Sequence, residues 1–140
     1  MKNIDFDFLR NKSVQVWRET LKIHKNATET RIASSVSPIE IFVVLYYGKL
    51  LNYYPEDRYN KLRDRFVISK GHGSISMYPI LSDLGFFNKL ELDKICKFGG
   101  ILGGIPDPTV PGYETINGSL GHGLGVASGM ALGLKRSNNN

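Results

Sequence analysis

Hydrophobic positions recur at near-helical spacing through the first part of the chain. Phe6, Leu9, Val14, Trp17, Leu21 and Ile23 to Ala27 are the positions concerned. This spacing predicts one amphipathic helix over 7–28, with a break allowed near Asn11. Residues 30–36 read as a connector. Ser37-Pro38-Ile39-Glu40 then has the form of a capping box with proline at the first helical position. The helix it opens, over 38–50, is apolar on most faces and is expected to be buried. Asn52 to Asp64 is polar and reads as a surface excursion.

The period then changes. Arg65-Phe66-Val67-Ile68-Ser69 is a short apolar run between charges and the sequence Ser-Lys-Gly-His-Gly. It predicts a buried parallel strand over 65–69 that ends in a tight loop. Further helices are predicted at 74–86 and, briefly, from Leu90 to Phe98. A long loop spans 99–117, a glycine-rich helix 119–135, and the polar tail Ser137–Asn140 is expected to fray. One convincing strand is too few, because a parallel strand is hydrogen-bonded on both edges. The pattern therefore predicts an incomplete α/β fold, the front part of a larger parallel-sheet domain.

Eleven of the fifteen glycines lie within 99–133, in two arrangements. Gly99, Gly100, Gly103, Gly104 and Gly112 sit among prolines, where the backbone is expected to approach something closely. Gly121, Gly125, Gly129 and Gly133 recur every fourth residue in a helix-compatible run. Each interior glycine costs about 1 kcal/mol relative to alanine, so this face is expected to pack tightly within a core.

Composition removes several classes. The chain has 140 residues, 41% hydrophobic and 22% charged, ordinary values for one domain or part of one. A single cysteine, Cys96, rules out a disulfide framework and a cysteine-based zinc site. No apolar run approaches the ~20 residues that span a bilayer, and MKNIDFDFLRNK has no signal-peptide core. A reducing cytoplasm is the expected setting. The net charge of +5 is spread among acids without a basic block, which argues against a nucleic-acid partner.

The first candidate chemistry is Ser69-Lys70-Gly71-His72-Gly73-Ser74. Loops at the carboxyl ends of parallel strands are where open α/β sheets bind ligands. There His72 projects at the strand tip and the following helix start favours an anion. A tight turn carrying a surface histidine is the alternative. No Gly-x-x-x-x-Gly-Lys-Ser/Thr phosphate loop is present, and Gly121-His122-Gly123-Leu124-Gly125 does not fit the dinucleotide fingerprint.

SKGHGSISMYPILSDLGFF, the Gly-Pro loop with PG-Y-E, and NGSLGHGLGVASGMALGLK together resemble the transketolase family of thiamine diphosphate enzymes. The likeness runs from about Ser13 to Lys135 and is to the amino-terminal part of the diphosphate-binding module, here a partial module over 1–140. It implies that His72 lies close to the cofactor diphosphate and the substrate. It implies that Gly118 and Leu120 line the thiamine site near the aminopyrimidine. His122 stands where the family has histidine or glutamine. The chain also departs from the pattern. Thr30 and Arg31 replace a Gly-His pair, Ile105 replaces a histidine, and Asn117 stands where threonine is usual. Arg31 either holds an anionic substrate group or is a solvated loop arginine.

The family's Gly-Asp-Gly metal motif does not occur in the sequence, nor does the module with the glutamate that activates the cofactor. The resemblance thus implies thiamine diphosphate with Mg²⁺ in the complete enzyme, with no metal ligand and no catalytic residue from this chain. It implies a fragment, a truncated product or one part of a split enzyme. The expected partner is the remaining module or a carboxy-terminal subunit, in a homo- or hetero-oligomer. The expected reaction is two-carbon ketol transfer between sugars, with a sugar phosphate or modified sugar as substrate and no activity alone. A non-catalytic assembly module and an unrelated phosphate-binding domain are the alternatives.

Overall fold

The computed structural model describes residues 5–137. Tail residues 138–140 and the first four residues, on which sequence expectations also rest, lie outside the described residues. Helix α1 runs Phe6–Asn26 without a break. Asp5 caps it, its carboxylate accepting from the Phe8 N–H at 2.9 Å, and Lys25 occupies the last turn, where positive charge suits the dipole. Leu9, Val16, Thr20, Ile23 and His24 form its buried stripe.

The predicted connector at 30–36 is instead a short helix, α2, Ile32–Val36. This overturns the capping box. Ser37 already has helical dihedrals as the C-cap of α2, so its side chain does not turn toward the next helix as an N-cap must. Its hydroxyl donates to the Ser34 carbonyl and accepts from Lys70 Nζ at 2.8 Å. Helix α3 is Ile39–Tyr47, entered at Pro38 with no side-chain cap. Ile39, Phe42, Val43 and Tyr46 are buried, whereas Ile41 and Val44 face outward, so α3 is amphipathic rather than buried all round.

The segment predicted as a strand forms none. Among the described residues there is no strand, and 64–68 carry no regular structure. The physical reason is the missing pairing partner: a single strand has no ladder to join. Its side chains are nonetheless docked. Phe66 meets the rings of Phe42 and Tyr46 edge-on at 5.9 and 6.1 Å, and Phe66 and Ile68 pack on the core.

The predicted helix at 74–86 divides into a 3₁₀ helix, Gly71–Ser76, and α4, Met77–Asp83. Ile75, Met77, Tyr78, Ile80 and Leu81 on these elements are almost fully buried, and they form the centre of the core between α1 and α3. The predicted short helix after Leu90 is a 3₁₀ helix, Lys89–Lys94. Residues 99–117 are free of helix and strand, as expected.

Helix α5, His122–Arg136, starts three residues later than predicted. Its glycine face also behaves differently from expectation. A Cβ at Gly121, Gly125, Gly129 or Gly133 would meet nothing within 4 Å. Only Gly123 of α5 is buried, while Leu124, Val126 and Leu132 are exposed. A gap of about 520 Å³, open solvent included, separates Arg63, Arg65 and Val67 from Ala127, Met130 and Leu134. The compensation that interior glycines require is thus not made among the described residues. Among them no helix is long and apolar enough to cross a membrane.

One polar clasp ties α1, α3 and α4. Asp83 accepts from Lys12 Nζ and from the Tyr47 hydroxyl, both at 2.7 Å. Burial alone would raise the Asp83 carboxyl, but these two donors outweigh it and hold it below its ordinary value. A lowered folded-state value stabilises above the unfolded carboxylate's pKa, about 3.9, and that contribution is lost as pH falls through the folded value. Asp83→Asn is expected to cost about 1 kcal/mol at neutral pH. It should also flatten the acid limb of a stability–pH curve taken by urea unfolding. Parallel acid limbs for the two proteins would show that the clasp contributes nothing.

Candidate functional site

Two sequence blocks far apart in the chain meet at Ser69. The Ser69 hydroxyl accepts from the backbone N–H of Gly121 at 3.0 Å and of Gly123 at 3.1 Å. Helix α5 is entered at Gly121, which has φ of +92° and offers no side-chain cap. Ser69 therefore does from a distance what an N-cap serine does locally. Gly123 is needed for that approach, since a Cβ there would lie 2.7 Å from Ser69 Cα.

The second junction flanks Ser69, at Ile68 and Gly71. Asn117 Nδ2 donates to the Ile68 carbonyl at 2.8 Å and to Thr115 Oγ1 at 2.7 Å. A Cβ on Gly71 would sit 1.8 Å from the Asn117 carbonyl oxygen. Gly71 thus serves close backbone approach, where the sequence suggested only a sharp turn. The Asn117 side chain is 5% exposed and its Oδ1 has no hydrogen-bond partner. Asparagine at this position consequently fastens the two blocks together.

His72 is half-buried at the start of the 3₁₀ helix. The Ser35 hydroxyl donates to its carbonyl at 3.3 Å. The His72 side lines an open cleft with Glu29, Thr30, Arg31, Gly104 and Ile105, about 690 Å³ with open solvent included. The structure therefore brings His72 and Arg31 to one cleft, with Ile105 as its apolar wall. Gly118 and Leu120 lie in the turn that enters α5 and His122 is its first residue, all three exposed, Leu120 at 73%. They share no cleft wall with Arg31. Their link to His72 runs through the backbone contacts of Ser69 and Gly71.

Sequence reasoning did not find His24, which supports the cleft from below. Its Nδ1 bonds Thr30 Oγ1, and that hydroxyl donates to the Ala27 carbonyl at 2.5 Å. With its own proton committed, Thr30 accepts, so His24 Nδ1 carries hydrogen and Nε2 holds a lone pair. Nε2 is buried without a partner. Burial lowers the imidazole's pKa, which favours this neutral form. A histidine in the buried stripe of a helix gave no signal for this role.

The long loop is held by hydroxyls and one ion pair. Tyr78 donates to the Gly103 carbonyl and Tyr113 to the Ser74 carbonyl, each at 2.7 Å. Arg63 and Glu114 form a two-pronged pair with side chains 19% and 11% exposed. These contacts fix the register of Thr115–Asn117 against Ile68–Gly71. Among the described residues no group of three or more histidine, cysteine, aspartate or glutamate side chains converges as a metal ion requires.

Residues 20–140 match the family described as "Transketolase, thiamine diphosphate binding domain". A subunit of the apulose-4-phosphate transketolase of Phocaeicola vulgatus is 36% identical over 118 residues, covering 84% of this chain and 42% of that protein. Human transketolase is 39% identical over 98 residues, 70% of this chain and 16% of that protein. The crystal structure of transketolase from Campylobacter jejuni superposes with a TM-score of 0.85 at 24% identity, over 96% of this chain and 21% of that one. The Leishmania mexicana enzyme gives 0.81 at 25% identity, over 88% and 18%. The chain spans less than half the length of these relatives.

The glycines of the two blocks should separate by substitution. Gly71→Ala forces a methyl into a backbone oxygen, and a loss of roughly 2–4 kcal/mol is expected. Gly118 has open space around it, so Gly118→Ala should change stability by less than about 0.5 kcal/mol. Thermal melts of the two variants test this, and a benign Gly71→Ala would remove the close-approach role of that residue.

Proposed function

We propose that this chain, which belongs to the transketolase family of thiamine diphosphate binding domains, supplies one wall of a site for two-carbon ketol transfer between sugars. The observation that carries the reading is the mutual docking of segments 68–71 and 117–123. It joins in space the two blocks on which the family resemblance rests.

The residues present fit part of a cofactor site. Gly118 and Gly121 are bordered by open space, which lets a ligand approach the backbone, and His72 lines the cleft with Arg31 and Ile105. In this reading His72 contacts the diphosphate end, while Gly118, Leu120 and His122 line the thiamine end. Arg31 holds an anionic group of the substrate through its forked guanidinium. The Ile105 side chain neither donates nor accepts a hydrogen bond, so it favours a substrate with fewer hydroxyls at that wall, as in a modified sugar. Thiamine diphosphate, when bound, supplies the electron sink for the carbanion chemistry. Mg²⁺ needs oxygen ligands in near-octahedral geometry, and these are assigned to polypeptide beyond the described residues.

Two of the relatives are each one subunit of an apulose-4-phosphate transketolase. This supports an assembly in which a second polypeptide or module completes the site. The same completion would provide strand neighbours for 65–69 and cover α5. Lone Cys96 suits a reducing cytoplasm. The open glycine face of α5 equally favours an assembly role without chemistry, and binding experiments distinguish the two.

Titration calorimetry with Mg²⁺ and thiamine diphosphate provides the test. The bare chain is expected to bind weakly and to show no ketol transfer, because positioning and charge neutralisation are both incomplete. With the completing polypeptide supplied in cis or in trans, binding should tighten. In that complex His72→Ala should weaken it about tenfold. Tight binding by residues 1–140 alone would overturn the requirement for completion, and an unaffected His72→Ala complex would overturn the role of that histidine.

A further inference from the structure

Helix α2 is fastened to the turn that carries His72. The Ser35 hydroxyl lies 3.0 Å from the Arg31 carbonyl and 3.3 Å from the His72 carbonyl, with Ser35 fully buried. At the end of α2, Ser37 accepts from Lys70 Nζ at 2.8 Å. Between them the Ser34 carbonyl stands against Gly73, where a Cβ would lie 3.0 Å from its oxygen. The local half of the Ser35 contact adds little. The Arg31 carbonyl already accepts from the Ser35 N–H at 3.2 Å, and alanine suits a helix better than serine. What the hydroxyl alone supplies is the tie to His72.

Arg31 and His72 come from segments forty-one positions apart and line one cleft. We propose that Ser35 is a positioning residue, whose hydroxyl fixes the backbones of Arg31 and His72 at one separation so that both side chains hold the same phosphate-type group of the substrate. This inference rests on the reading that the cleft takes an anionic substrate group. The cleft also carries the Glu29 carboxylate, which repels an anion. Arg31 alone therefore holds the group poorly, and a second donor is required. A guanidinium fork takes two oxygens of a phosphate and an imidazole N–H takes a third. Two donors bind as one site only when their spacing is set beforehand, since ordering them at the moment of binding costs affinity.

Inorganic phosphate is the probe, titrated into the full chain at neutral pH and well below its melting temperature. The Arg31 backbone amide and the His72 ring are followed by NMR, and with three histidines in the chain the ring signal is assigned by substitution. The expected result is one shared binding curve for the two signals. Ser35→Ala should weaken binding about fivefold, the worth of one hydrogen bond, and give the two signals separate curves. Ser76→Ala is the control. It removes a hydroxyl equally buried in the same 3₁₀ helix, one that donates to the Gly73 carbonyl at 3.3 Å, and it should leave phosphate binding unchanged. Ser37→Ala breaks the tie to Lys70 at an exposed position without removing a charge, and it should weaken binding about twofold. It decides the matter should Ser35→Ala fail to fold, an unchanged affinity then overturning the proposal. Ser35→Ala binding phosphate like the parent chain also overturns it, while the anion-binding reading stands. An equal loss in Ser76→Ala overturns it too, by assigning the effect to general loosening of the fold. No response to phosphate at Arg31 or His72 in the parent chain overturns the anion-binding reading and the proposal together.

Discussion

The hydroxyl of Ser69 is the contact on which the candidate site depends. Helix α5 begins after a left-handed glycine and has no local cap, so its first N–H groups need an acceptor from elsewhere. Ser69 provides one oxygen to two of them. This fixes where α5 starts, which way the turn at Gly118–Leu120 faces, and how it stands beside Gly71. The Asn117 amide on the Ile68 carbonyl adds a second tie. Side chains such as His72 inherit their positions from this backbone framework.

The core and the site are coupled through aromatic residues with polar ends. Tyr78 and Tyr113 bury their rings against one another at 5.7 Å, yet each hydroxyl reaches a loop or turn carbonyl. Burial drives both phenols well above their ordinary pKa, so they remain proton donors throughout the physiological range. The apolar centre thereby grips a segment that has no ladder or helix of its own.

Much of this was legible in the sequence, and the failures share a cause. Periodicity located α1, α3 and α5 and the long loop, because those features follow from local spacing. The two glycine-histidine blocks were visible for the same reason. What local sequence misreads is whatever depends on a distant partner. Arg65–Ser69 has the composition of a strand but lacks a neighbour to pair with. Ser37 has the form of a cap but lies in a helical turn already begun at Ile32. The fourfold glycines suggested close packing, whereas the glycines that meet another segment's backbone here are Gly71 against Asn117, Gly73 against Ser34, Gly100 against Lys94 and Gly123 against Ser69. None of these contacts is written in spacing along one segment. His24 carries no such pattern, because a polar residue in a buried stripe has no signature until Thr30 is brought beside it.

The long loop has a property that its lack of regular structure conceals. Leu102, Pro106, Val110, Tyr113 and Asn117 are buried in turn, one anchor for every three or four residues. Surface loops ordinarily accommodate insertions and deletions. Here a single added residue between two anchors would put every later one out of phase with its socket, ending with Asn117 displaced from Ile68. Exposed residues between anchors, Ile105 and Thr109 among them, can change without shifting that phase, but their number cannot. The segment keeps length as strictly as a helix does while leaving its exposed chemistry open to change.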